Sequence, residues 1–422
     1  MYRWFVPAAA VAAAVAIITA GCASAGATGL GSSNGAAGIV PANAVAFVAA
    51  STDLASSRWH GVAKPFLSDF QTYAPALGDE LDVALLPNKQ VVALTQPHDE
   101  AKLAALAAKH GATTRTIDGW TAIAKTSSAL DAVANASRHL DDSNVFTAAM
   151  NRLPADALVR AYANGDETAQ LLSSLSGALR HSDAFAAANG FTWAAAALTS
   201  EQGGLRLQAF AQPDSSSPHA SAYRSTLVDE IPSGVLAVAD FRVAAGSFTQ
   251  SPLSKLLGAS AAQAPADLDA LLGGETAIYV RPGVPIPEVT LVTHPVDTAA
   301  AVQALASLRA SLSATSPLHG LALVHGTVDG AFVVSTSQRG VDDFGGAGAK
   351  LSSDQSFQQA EKQAGSGDET TGFVYANVKD ALPFLQLAGV KLPQGLPNIG
   401  TVFAYGAQSN GESTLSAFMS VG

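Results

Sequence analysis

Read for its alternation of apolar and polar positions, the chain falls into short elements that recur in a fixed order. Val40-Pro41 opens an apolar run through Val48, and Ile231-Pro232 opens another through Ala239. Leu77-Gly78-Asp79-Glu80 leads into Val83 to Leu86, as Leu272-Gly273-Gly274-Glu275 leads into Ile278 to Val280. Thr95-Gln96-Pro97-His98-Asp99 and Thr293-His294-Pro295-Val296-Asp297 each close a strand before an Ala/Leu segment of helical period. Asp118-Gly119 recurs as Asp329-Gly330, Phe146-Thr147-Ala148-Ala149 as Phe357-Gln358-Gln359-Ala360, and Tyr162-Ala163-Asn164 as Tyr375-Ala376-Asn377. Gly203 to Phe210 matches Gly411 to Phe418. Ordered matches of this kind predict a tandem duplication.

Within each copy the reading is strand, helix, two strands, helix, two strands, helix, strand, helix and a closing hairpin. Helices are expected over 101–110 and 299–312. Val91-Val92-Ala93-Leu94 is a continuous apolar run, which predicts burial on both faces. The Asp-Gly and Gln-Gly-Gly turns favour antiparallel hairpins. The fold class predicted is α+β, a duplicated unit with mostly antiparallel sheet. The expected boundaries are a signal at 1–21, a Gly/Ala/Ser tether at 22–38, a first repeat at 39–212, a linker at 213–229 and a second repeat at 230–422.

The first residues read as an export signal. Arg3 precedes an apolar stretch from Phe5 to Ala20, shorter than the about 20 residues of a membrane span. Thr19-Ala20-Gly21-Cys22 follows and resembles the lipobox of bacterial lipoproteins, with Thr19 where that family has an aliphatic residue. Cys22 is the single cysteine of 422 residues, so no internal disulfide is available and lipidation gives the thiol a role. Cleavage after Ala25 and secretion is the alternative. On the lipobox reading the protein lies on the outer face of the cell membrane, with the membrane as partner through an N-terminal lipid.

The opening Ile39-Val40-Pro41-Ala42-Asn43-Ala44, after a signal and a small-residue tether, resembles the start of the bacterial family catalogued as domain of unknown function 3352. That resemblance implies a long α+β body, exported or membrane-anchored, and no assigned site residues.

Composition narrows the chemistry. Hydrophobic residues make up 48% and charged residues 14%, which excludes global disorder. Aromatics reach only 7%, so the core relies on small contacts. A net charge of −11 without a basic run argues against a nucleic-acid partner. No cysteine nucleophile is left in the body. Gly31-Ser32-Ser33-Asn34-Gly35 matches a nucleophile elbow in spelling alone, because it lies in the tether. No H-E-x-x-H or clustered His/Asp pattern offers metal ligands, so no metal, cofactor or catalytic residue is expected. His319 and His325, flanking Leu321–Val324, could face one side of a strand but lack further ligands.

Most repeated polar positions have capping or turn duties: Asp99 and Asp297 at helix starts, Asp118 and Asp329 in turns, Asn164 and Asn377 ahead of Glu167 and Asp380. Glu80 and Glu275 have no evident capping duty and are the candidates for ligand contact. Trp59, Trp120 and Trp193 all fall in the first copy, which favours that copy for any sugar contact. The expected function is a non-catalytic binding or scaffolding role in the cell envelope. Two other readings stay open, an envelope hydrolase using paired carboxylates and a solute-binding receptor.

Overall fold

The computed structural model describes residues 35–60, 73–173, 191–214, 221–243, 264–283, 287–313, 323–387, 398–409 and 411–422. Cys22, the signal, most of the tether, His319 and residues 215–220 of the linker lie outside the described residues. The strands are β1 (Ala46–Ser51), β2 (Glu80–Leu85), β3 (Val91–Thr95), β4 (Thr113–Ile117), β5 (Trp120–Ala124), β6 (Val159–Asn164), β7 (Phe191–Glu201) and β8 (Gly204–Pro213). They continue with β9 (Ala237–Val243), β10 (Gly274–Arg281), β11 (Glu288–Thr293), β12 (Val324–Val328), β13 (Ala331–Ser335), β14 (Gly372–Asn377), β15 (Ile399–Ser409) and β16 (Glu412–Val421). Nine α-helices accompany them among the described residues: α1 (Glu100–Lys109), α2 (Ser127–Ala134), α3 (Asn144–Met150), α4 (Gly165–Ser173), α5 (Ala264–Leu272), α6 (Thr298–Ser313), α7 (Gln338–Asp343), α8 (Gln355–Ala364) and α9 (Val378–Leu387). The fold is mixed helix and strand around one large antiparallel sheet.

All sixteen strands belong to that sheet, in the order β12-β13-β11-β10-β9-β14-β15-β16-β8-β7-β6-β1-β2-β3-β5-β4. Outward from the β8–β16 contact the order is 8-7-6-1-2-3-5-4 on one side and 16-15-14-9-10-11-13-12 on the other. The seam is antiparallel, with Gln208 opposite Ser416, Leu205 opposite Met419 and Ala211 opposite Ser413.

Local chemistry accounts for the hairpins and helix starts. Asp118 and Gly119 have φ of +46° and +83°, and Asp329 and Gly330 have +50° and +89°. Two consecutive left-handed residues are what a two-residue hairpin turn needs. Asp99 accepts the Lys102 amide at the start of α1, and Asp297 accepts those of Ala299 and Ala300 at α6. Asn164 accepts from Glu167 and Asn377 from Asp380, so both asparagines cap the helices that follow.

One face of the sheet carries the larger core clusters. Phe47, Phe146, Tyr162 and Trp193 pack there under α2 and α3, and Phe357, Phe373, Tyr375 and Phe403 pack under α7 and α8. On the opposite face Leu103 of α1 meets Leu81 and Val83, while Ala301 and Ala304 of α6 meet Phe332 and Val334. Beside β1 that face is made of small residues, Ala161, Ala163, Ala194, Ala196, Ala209 and Ala211. The Val91–Leu94 run is buried unevenly: Val92 and Leu94 are fully covered, but Val91 is 43% exposed. Strand β5 pairs with β3 only from Ala93 onward, so it does not flank Val91.

Two boundaries differ from the sequence reading. Gly35–Gly38 is a 3-10 turn with Ala36 and Ala37 fully buried, so the folded body starts inside the expected tether. Tyr223 and Leu227 are buried as well, so part of the expected linker is packed into the fold.

Candidate functional site

Glu275 opens β10 and is 4% exposed. Its Oε1 accepts from the Thr226 amide at 2.7 Å, the Leu227 amide at 3.1 Å and Ser225 Oγ at 3.0 Å, and its Oε2 accepts from Thr226 Oγ1 at 2.8 Å. Arg242 brings Nη2 within 3.9 Å and stacks its guanidinium 4.6 Å from the centre of the Tyr223 ring. Next to Glu275, Asp240 of β9 accepts from Tyr223 Oη and shares the single Ser225 hydroxyl proton with Glu275, its Oδ2 lying 3.0 Å from Ser225 Oγ. Two carboxylates thus clamp residues 223–227 onto the sheet. Glu275 does have a capping duty, for the 3-10 turn Leu227–Asp229.

The first unit has a related clamp built from different positions. Asp82 is fully buried on β2 and faces Ala49 of β1, with Arg160 of β6 on the far side of Ala49. Its Oδ2 accepts the Ala36 amide at 2.6 Å. Glu80 lies two residues earlier on the same face, half-buried. A Cβ at Gly35 would fall inside contact distance of both Asp82 Oδ2 and Glu80 Oε1, and its φ of +55° lies in the left-handed region that favours glycine. No donor from another described residue reaches Glu80 Oε1 or Asp82 Oδ1.

Burial sets the electrostatics of both clamps. It lifts Asp82 well above the ordinary carboxylate range, and the adjacent Glu80 lifts it further against the pull of the Ala36 amide and Arg160. Glu80 is raised by burial too, and burial lowers Arg160. Asp240 is pushed up to about 7, mainly by burial and then by Glu275, against the Tyr223 and Ser225 hydrogen bonds.

The two clamps exchange strands. Asp82 sits across from Ala49, whereas Ala277 of β10 sits across from Asp240 of β9. The carboxylate occupies a matching cross-strand step but comes from the neighbouring strand. Matching the recurring sequence segments residue by residue therefore brings Glu80 and Glu275 together and misses Asp82, Asp240 and Arg160. The available signal was an aspartate inside an apolar strand, as in Leu81-Asp82-Val83 and Ala239-Asp240-Phe241.

Other candidates separate. Trp193 and Trp120 join the first-unit core, while Trp59 sits on the turn Ser57–Trp59, next to His60, whose Nε2 bonds Ser200 Oγ at the far end of β7. His325 packs on Phe332, 5.7 Å between ring centres. One group not foreseen from the sequence is His139, Asp141 and Asp142, whose ligand atoms lie within 4.8 Å of one another. The Asp142 carboxylate accepts the His139 amide at 2.8 Å, as Ser353 Oγ accepts the Lys350 amide at 3.2 Å in the second unit. The same capped turn forms there from Lys350-Leu351-Ser352-Ser353, without a metal-binding set.

No family model matches the chain, and no curated protein matches it. Among solved structures, crystal form I of TP0453 superposes at a TM-score of 0.27 with 10% identity, covering 44% of this chain and 82% of that one. Crystal form III gives the same score and identity over 45% and 88%. Overlap this loose informs neither fold nor function. Among the described residues no helix is long and apolar enough to cross a membrane.

The Asp240 clamp makes the fold sensitive to pH. The folded value near 7 lies above the unfolded 3.8, so the native state holds the extra proton between them. That contribution is complete below about pH 4 and is lost as pH rises towards 7, with a slope approaching about 1.4 kcal/mol per pH unit. Urea unfolding of wild type should therefore show stability falling from pH 5 to pH 7. Asp240→Asn should flatten that slope; an unchanged slope in the variant would rule Asp240 out as its source.

Proposed function

We propose that this chain is an exported lipoprotein held through Cys22 on the outer face of the cell membrane, where a duplicated α+β body binds or scaffolds a partner without catalysis of its own. Membership of the domain of unknown function 3352 family, on Ile39–Ala44, belongs to the same proposal. The duplication is supported by the strand order, which repeats outward from the β8–β16 seam. It is also supported by the positions of the matched residues. Tyr162 lies on β6 opposite Phe47 of β1, and Tyr375 lies on β14 opposite Val238 of β9. Asp118 and Asp329 turn the corresponding hairpins.

The observation that carries the binding or scaffolding reading over a hydrolase is where the candidate carboxylates point. Both oxygens of Glu275 are spent on residues 225–227, and Glu80 lies beside Asp82, which accepts the Ala36 amide, so both candidates sit at turns of the chain itself, which supports a structural duty for them. The anchor is tested through Cys22. Wild type should sediment with membranes and incorporate labelled fatty acid, and Cys22→Ser should appear in the medium or remain unprocessed. A variant that fractionates and migrates like wild type would remove the lipid from this account.

A further inference from the structure

The two clamps hold the segments that enter each unit, but they hold them unequally. On residues 225–227 Glu275 receives two backbone amides, the Thr226 hydroxyl and a share of the Ser225 hydroxyl. On the turn Gly35–Gly38, Asp82 receives the single amide of Ala36, and the Glu80–Asp82 pair retains two buried oxygens that no donor from another described residue reaches. Gly35 is wedged against one oxygen of each carboxyl, so any splaying of the pair displaces the turn directly. That turn is the point where the N-terminal segment joins the body.

The charged groups around the pair are few. Arg160 approaches from β6. Strands β1 and β3 present Ala49, Ser51 and Leu94. The turn Leu140–Asp142 brings Asp141 against Gly38, with Asp142 and His139 beside it. A pair sharing one proton leaves a single negative charge for Arg160 to balance and one ionised oxygen to accept the Ala36 amide. Loss of that proton puts two negative charges side by side in a buried site facing one guanidinium.

We propose that Glu80 and Asp82 form a proton-held latch on the root of the N-terminal tether: the turn Gly35–Gly38 stays docked while the two carboxyls share a proton and releases when both ionise. Release lengthens the effective tether between the body and its point of attachment. This consequence rests on the tether reading, whereas the latch itself is measured without reference to the lipid.

The test is amide hydrogen exchange on the full chain, followed by mass spectrometry and expressed as protection relative to the intrinsic rate at each pH. Residues 36–40 of wild type should lose protection by up to about tenfold per pH unit as pH rises from the ordinary carboxylate range towards the second ionisation of the docked pair, and level off above it. The α1 amides should stay protected in the same sample, which separates local release from unfolding. Glu80→Gln removes the second charge and should keep residues 36–40 protected across that range. Gly35→Ala sets a methyl group against both carboxyls and should leave 36–40 unprotected at pH 7 with α1 intact. The proposal is overturned if wild-type protection at 36–40 follows α1 up to pH 10, or if Glu80→Gln releases at the wild-type pH. Retained protection in Gly35→Ala overturns it independently. Failure here leaves the fractionation of Cys22→Ser untouched, so the latch and the lipid anchor stand or fall separately.

Discussion

Arg281→Met is expected to destabilise the protein by about 3–5 kcal/mol, because it strands a buried carboxylate. Arg281 and Glu288 face each other across the β10–β11 hairpin with side chains only 6% and 7% exposed. Arg281 Nε and Nη2 reach Glu288 Oε1 at 2.7 and 2.5 Å, and Nη1 reaches Asp343 at 2.9 Å. Ser337 Oγ donates to the other Glu288 oxygen. Without the guanidinium, Glu288 keeps one hydroxyl donor and the full cost of a charge removed from water. Asp343 suffers less, since Arg339 remains 3.0 Å away and the site is more open. The double variant Arg281→Met, Glu288→Leu should recover most of the loss, because replacing both members of a buried pair by apolar groups is often neutral. Urea titrations of the three proteins check this. A double variant no more stable than the single would mean the loss comes from packing, not from the stranded charge.

Phe146→Ala and Phe357→Ala should each cost about 3–5 kcal/mol, the range for truncating a buried ring. Phe146 is fully buried and meets Phe47 and Tyr162 edge-on at 5.8 and 5.0 Å between centroids. Phe357 is 3% exposed and meets Phe373, Tyr375 and Phe403 at 5.7, 5.3 and 5.6 Å. In a protein with few aromatic residues these two rings gather most of the edge-to-face contacts of their halves. Alanine at either position leaves a cavity the surrounding small side chains cannot fill, and leucine should cost markedly less. Equilibrium unfolding measures the loss. A change below about 1 kcal/mol at either position would mean that its ring is not a core anchor.

How much of this was legible in the sequence depended on how local the cause was. Asp118-Gly119 and Asp329-Gly330 specify their hairpins through two adjacent residues, and Asp99 and Asn164 specify helix starts through a bond three residues away. These were readable. The turn Gly35–Gly38 was not, because its glycine and alanines match a flexible tether in composition. Their small size is instead demanded by Asp82, Glu80 and the core above them. The clamps escaped because Asp82 and Asp240 come from strands at different places in the recurring order, so aligning the recurring segments separates residues that occupy matching cross-strand steps. The seam escaped as well. Arg206, Gln208, Ser413 and Ser416 give β8 and β16 the look of solvated closing hairpins, yet they pair with each other across about two hundred positions. Arg206 shows what that costs and gains. It bonds Glu201 within its own hairpin and the Gln363 and Ala364 carbonyls at the end of α8 in the other half.

The seam also sets the order in which the sheet can be completed. Strand β16, the last in chain order, belongs in the middle of the sheet, whereas the outer rims are β4 and β12 from the interior of each unit. As the chain emerges vectorially, β1 to β8 can assemble while β8 still presents a ten-residue open edge. That edge stays uncovered until the final strand arrives. A half-finished chain is therefore a template for wrong partners, above all for the β8 of another half-finished copy. The chain most exposed to mispairing is therefore the one that lacks only its last strand.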